Sequence, residues 1–209
     1  MKTLVEICDE ISPPAVSASP QTAYRNSLRK ENGKIIGYTD KNGIHSYAVH
    51  MYSELFARKR FTAEKILEIG VWTGGSLVVW RDYFAKAKIY GMDNIVPPVM
   101  PLVFEDRIVQ ITADAYSDEV INSIEGDFDI IIDDGPHSLE SMIISVQKYL
   151  PKLKSDGILV IEDLKEPSWI DTLAQYVPPW YRSKIRVYDL RHVKNVSDDI
   201  AFVVDLEKK

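Results

Sequence analysis

Residues Ile66–Ser76 read ILEIGVWTGGS, and this stretch limits the possible folds more than any other. Ile66, Leu67 and Ile69 are apolar and suit a buried parallel strand, after which Gly70, Gly74 and Gly75 let the backbone turn sharply and approach a ligand. Leu77, Val78, Trp80 and Phe84 then follow a helical pattern, so the unit is strand, glycine-rich turn, helix.

The rest of the chain repeats that alternation. Strands are predicted over Lys65–Gly70, Lys88–Asp93, Arg107–Thr112, Phe128–Asp133, Gly157–Glu162, Lys184–Leu190 and Asp199–Asp205. Helical patterns fall near His50–Lys59, Ser76–Ala87, Ser117–Ile124, Ser138–Leu150 and Pro167–Tyr176. Strands alternating with helices predict an α/β fold with a doubly wound, mostly parallel sheet covered on both faces. The last two strands are separated only by the polar loop Arg191–Asp198, which predicts an antiparallel hairpin at the sheet edge. Ser12–Thr22 and the Pro97–Pro101 turn read as a linker and a surface loop. The expected organisation is an N-terminal helix and linker over residues 1–38, then one domain over residues 39–209.

Composition narrows the partners. The 209 residues are 45% hydrophobic, enough for a real core, yet no run of about 18 apolar residues suggests a membrane span. The opening MKTLVEICDEISPPA carries Glu6, Asp9 and Glu10 within its apolar stretch, so it reads as an amphipathic helix rather than a secretory signal core. Cys8 is the only cysteine, which leaves no internal disulfide and favours the cytoplasm. A net charge of −6 argues against nucleic acid as the main partner. Self-association into a homo-oligomer is left open.

Asp93 ends the second predicted strand 23 residues beyond Gly70, about the offset at which an acidic residue meets ribose hydroxyls in nucleotide-type sites. The dinucleotide pattern G-x-G-x-x-G fails, because Trp72 occupies the second glycine position. What stands instead is E-x-G-x-x-x-G-G-S, and Glu68 beside the glycines suits a cationic ammonium better than a phosphate. This pattern resembles motif I of the class I methyltransferases that use S-adenosylmethionine, and the antiparallel C-terminal hairpin is typical of the same Rossmann-like class.

Two more strands run into acids: Phe128–Asp133 into Asp133, Asp134, Gly135, Pro136 and His137, and Gly157–Glu162 into Glu162 and Asp163. If these strands are neighbours, four carboxylates meet on one rim, and such crowding demands a cation. Oxygen ligands without a nearby cysteine favour Mg²⁺, with Mn²⁺ or Ca²⁺ as alternatives. His137 follows three residues after Asp134 and is placed to act as a neutral general base toward a hydroxyl. The bland alternative gives Asp134 and His137 to helix capping and leaves Glu162 and Asp163 ending a strand in water.

TDKNGIHSYAVHMYSELF at Thr39–Phe56, the glycine-rich motif, IIDDGPHS at Ile131–Ser138 and LVIEDL at Leu159–Leu164 together resemble the metal-dependent sugar and macrolide O-methyltransferases of the mycinamicin and macrocin type. The resemblance implies Asp134, Glu162 and Asp163 as Mg²⁺ ligands and His137 as general base. Within the cofactor cradle that includes Gly70, Gly74 and Ser76, it implies Glu68 at the amino acid end of S-adenosylmethionine, Asp93 at the ribose, Asp114 at the adenine and Asp133 beside them. His45 and Tyr47 match a segment that closes over the site. The acceptor would be a hydroxyl of a small, sugar-bearing metabolite. The competing readings are a metal-independent small-molecule methyltransferase and a non-catalytic cofactor-binding module that acts through a partner protein.

Overall fold

The computed structural model describes residues 1–11, 29–31, 34–36, 39–95 and 107–207, so the expected linker at Ser12–Thr22 and turn at Pro97–Pro101 lie outside the described residues. Seven strands form the main sheet: β1 Lys65–Ile69, β2 Lys88–Asp93, β3 Ile108–Thr112, β4 Phe128–Asp133, β5 Leu153–Ile161, β6 Ile185–Asp189 and β7 Ile200–Asp205. Their order is β3-β2-β1-β4-β5-β7-β6. Strands β1 to β5 are mutually parallel, and β7 pairs antiparallel with both β5 and β6. This is the expected doubly wound α/β class.

The two-residue period of the strands divides the core into two layers. Ile66, Ile130, Ile132, Ile158, Val160, Ala201 and Val203 face helix α1 (Leu4–Ile11), the 47–56 segment and helix α2 (Gly75–Tyr83). Leu67, Ile69, Ile131, Leu159, Ile161, Phe202 and Val204 share the opposite layer with α3 (Asp118–Ser123), α4 (Leu139–Ile144) and α5 (Trp169–Tyr176). Leu4, Ile7, Cys8 and Ile11 of α1 belong to the first layer, so the described helix of the 1–38 extension packs on the domain. No helix among the described residues is long and apolar enough to cross a membrane.

The expected antiparallel hairpin closes one side of the sheet, with β7 between β5 and β6 and β6 at the edge. The reason is composition: IAFVVD is buried along its whole length, whereas β6 carries Arg186 and Asp189 and is partly exposed. Strand β5 begins at Leu153 rather than Gly157, and the 191–198 loop contains a helical turn, Arg191–Lys194. The helical patterns at 50–59 and 138–150 are interrupted by wide turns at Ala48–Tyr52 and Ser145–Tyr149. The first lies among Tyr52, Phe56 and Trp80, whose rings pack with centroids 4.6 to 5.7 Å apart. The second carries Ser145, whose hydroxyl donates to Asp133.

Strand order reverses between β1 and β4, both parallel and both buried. Open α/β sheets bind ligands at the carboxyl ends of strands beside such a reversal.

Candidate active site

Gly70 directly follows β1 with φ +82°. Its N–H donates to the Met92 carbonyl at 2.8 Å, and the Asp134 N–H donates to the Ile69 carbonyl at 2.8 Å, so the ends of β2, β1 and β4 are tied together. A Cβ at Gly70 would lie 1.9 Å from the Asp134 carbonyl oxygen, so only glycine fits. Gly74 repeats the left-handed conformation at the start of α2. Trp72, between them, has φ +45° and is 52% exposed.

Asp93 braces this turn. Its Oδ2 accepts the N–H groups of Val71 and Trp72 at 2.8 and 3.0 Å, and its Oδ1 accepts that of Ile95 at 3.0 Å. A cavity of about 570 Å³ opens beside it, a size suited to a small-molecule ligand. Of the residues named from sequence, Gly70, Ser76, Asp93, Asp114, Asp134, His137 and Asp163 line it. Glu68, Gly74, Asp133, Glu162, His45 and Tyr47 do not; they form the layer behind.

That layer follows from the strand period. Glu68 shares the face of Ile66 and is fully buried; its Oε2 accepts from Ser76 Oγ at 2.7 Å and Trp80 Nε1 at 3.1 Å. Its Oε1 is buried with no hydrogen bond, and burial pushes the carboxyl up to about 7. Asp133 turns to the opposite face, where Tyr116 Oη donates to it at 2.5 Å and the Gly135 N–H at 3.2 Å. The four acids expected on one rim are therefore not the four that meet: Asp133 leaves the group, and Glu68 stands with Asp134, Glu162 and Asp163.

The cation in their midst is Lys41. Its side chain is 2% exposed, its Nζ lies 2.5 Å from Asp134 Oδ2 and 4.0 Å from Glu68 Oε1, and it donates to Glu162 Oε2. Burial disfavours the ammonium, but the Asp134 and Glu162 carboxylates outweigh it and hold Lys41 charged. Burial in turn raises the Glu162 carboxyl well above its usual range. Sequence reasoning asked the crowded acids for a cation and considered only a metal. The signal was present in TDKNG, but nothing local links residue 41 to residues 134 and 162.

Tyr52 Oη donates to Glu162 Oε1 at 2.6 Å, so both oxygens of that carboxylate are engaged. Tyr47 Oη donates to Asp163 Oδ1 at 2.7 Å, and His45 Nδ1 sits 3.5 Å from the same oxygen and 3.6 Å from Asp199 Oδ1. Burial would lower the His45 pKa, yet Asp199, Asp163 and Asp40 prevail and push it up to about 9. Burial and the Asp134 charge push Asp163 up to about 7 against the pull of His45 and Lys41. His45 and Tyr47 thus fix Asp163 from behind rather than reaching the cavity.

Asp134, His137 and Asp163 each point one possible ligand atom into a space where these atoms lie within 4.8 Å of one another. His137 Nε2 stands 3.9 Å from Asp134 Oδ1 and 3.8 Å from Asp163 Oδ2, while its Nδ1 is buried without a hydrogen bond. Both His137 and Asp163 hold left-handed backbones, at φ +51° and +57°. Each costs about 1–2 kcal/mol in a residue with a side chain, strain that concentrates at working sites.

Residues 67–164 match the family model described as a methyltransferase domain. The chain is 33% identical over 141 residues to the 8-demethyl-8-alpha-L-rhamnosyl tetracenomycin-C 2'-O-methyltransferase of Streptomyces olivaceus, covering 63% of this chain and 36% of that one. It is 34% identical over 143 residues to the mycinamicin VI 2''-O-methyltransferase of Micromonospora griseorubida, covering 63% and 35%. The chain therefore spans about a third of the length of these relatives. Among solved structures, the MycE methyltransferase of the mycinamycin pathway, in complex with Mg, SAH and mycinamycin VI, superposes with a TM-score of 0.62 at 27% identity. That match covers 80% of this chain and 51% of MycE.

Proposed function

We propose that the chain, which matches a methyltransferase domain over residues 67–164 and is similar to sugar O-methyltransferases, methylates a hydroxyl of a sugar or glycosylated small metabolite, using S-adenosylmethionine with help from Mg²⁺. The observation that carries the reading is the cavity itself, which Gly70, Asp93 and Asp114 share with Asp134, His137 and Asp163.

The residues fit both groups. The unpartnered Oε1 of Glu68 and the left-handed Gly70 and Gly74 suit the amino acid end of the cofactor. Asp93 and Asp114, both on the cavity wall, suit its ribose and adenine. In this reading Mg²⁺ is held by Asp134, Glu162 and Asp163, an all-oxygen set of the kind hard divalent cations take. When bound, the cofactor supplies an electrophilic methyl group, and the cation lowers the pKa of a hydroxyl held against it.

His137 Nε2 faces the Asp134 and Asp163 carboxylates, where it would take the proton of an acceptor hydroxyl as that oxygen becomes the nucleophile. Asp133 fixes the loop that carries His137, through Tyr116, Gly135 and Ser145.

One observation favours a second reading, a metal-independent methyltransferase: Lys41 already places a positive charge between Asp134 and Glu162. Turnover of a panel of glycosylated acceptors, with Mg²⁺ and with a chelator, separates the two. The Mg²⁺ reading predicts at least a roughly tenfold loss in chelator that added Mg²⁺ restores. Equal turnover in both conditions selects the metal-independent enzyme.

A further inference from the structure

Lys41 is nearly sealed from solvent, yet it comes from a segment that also supplies Thr39 and Asp40 to the cavity wall. Its ammonium holds Asp134 Oδ2 and Glu162 Oε2, two of the carboxylates assigned above to the divalent cation. Tyr52 takes the other oxygen of Glu162. The oxygens of Asp134 and Asp163 that stand beside His137 are Oδ1 and Oδ2, respectively. Each Glu162 oxygen already has a partner while Lys41 stays in place, and two cations side by side on the same oxygens repel strongly at low dielectric.

Resting on the Mg²⁺ reading, we propose that Lys41 is a built-in counter-cation that exchanges with the divalent cation: the ammonium holds Asp134 and Glu162 together in the metal-free protein and leaves them when the metal binds. The exchange has two physical merits. Metal-free, the buried acids are never left uncompensated, which would cost the fold heavily. Metal-bound, Lys41 moves from a position on the cavity wall, so loading the cation also reshapes the wall formed by residues 39–41. Lys41 is thus a positioning residue for the carboxylates rather than a group acting on the substrate.

The test uses the full chain and Mn²⁺ as probe, with affinity read by electron paramagnetic resonance for the wild type, Lys41→Met and Lys41→Arg. Lys41→Met should bind Mn²⁺ at least about tenfold more tightly, because a competing charge is gone, while Lys41→Arg should not gain affinity. In parallel, reductive methylation of the wild type, read by peptide mass spectrometry, should spare the Lys41 amine without metal and label it at saturating Mg²⁺. A folded Lys41→Met with unchanged or weaker Mn²⁺ affinity, or a Lys41 amine equally protected with and without Mg²⁺, overturns the exchange. If Lys41→Met does not fold, the labelling of the wild type decides alone. Absence of Mn²⁺ binding by both wild type and Lys41→Met removes the Mg²⁺ reading itself, whereas binding with a Lys41 that stays protected removes only the exchange.

Discussion

His137→Ala lowers methyl-transfer turnover by roughly 10²-fold or more, the usual scale for losing a general base, and leaves S-adenosylhomocysteine affinity essentially unchanged. The split follows from position. His137 lines the cavity beside Asp134 and Asp163, whereas Asp93 ends a different strand and its carboxylate is taken up by the N–H groups of Val71, Trp72 and Ile95. The left-handed backbone at His137 is a strained conformation of the kind that concentrates at working sites. Steady-state kinetics together with calorimetric binding of the product cofactor check the prediction. Wild-type turnover in the variant excludes His137 as the base, and a matching loss of cofactor affinity makes it a structural residue instead.

Gly70→Ala destabilises the fold by about 2–5 kcal/mol, combining about 1–2 kcal/mol for a left-handed residue with a Cβ and about 1–3 kcal/mol for overpacking. The added Cβ would meet the Asp134 carbonyl oxygen at 1.9 Å, its carbon at 2.5 Å and the Gly135 nitrogen at 2.9 Å. All three are backbone atoms of the loop that carries Asp134 and His137, so relief must come from parting β1 and β4 at the site. Gly91→Ala is a useful comparison: its nearest contacts are the methyl groups of Leu77 and Val71, side-chain atoms that can shift. Urea unfolding measures both. A Gly70→Ala loss below about 1 kcal/mol, within the range of ordinary substitutions, contradicts the close approach.

The parallel strands were legible because buried strands on both sides of a sheet read as continuous apolar runs, and their acidic or glycine ends marked the rim where ligands bind. Gly70, Asp93, Asp134, His137 and Asp163 were found that way, and all line the cavity. What escaped was set by faces and by distant contacts. Asp133 and Asp134 look equivalent in IIDDG, yet the two-residue period sends them to opposite sides of the sheet, one to Tyr116 and Ser145, the other to Lys41. Glu68 joins the acidic group only because β1 lies next to β4. The roles of His45 and Tyr47, fixing Asp163 from the second layer, depend likewise on a fold-back of the 39–56 segment that no local pattern encodes. The pairing of β6 and β7 was legible by contrast, because only a short polar loop joins them.

The central claim is that the glycine-rich turn, Glu68 and Asp93 form a cradle for S-adenosylmethionine. Calorimetric titration of the purified chain with S-adenosylhomocysteine tests it most directly, because it needs neither an acceptor nor turnover. The account predicts one site per chain with an affinity on the order of micromolar, comparable to what small cofactor sites reach. No binding of S-adenosylhomocysteine or S-adenosylmethionine, with or without Mg²⁺, would contradict it.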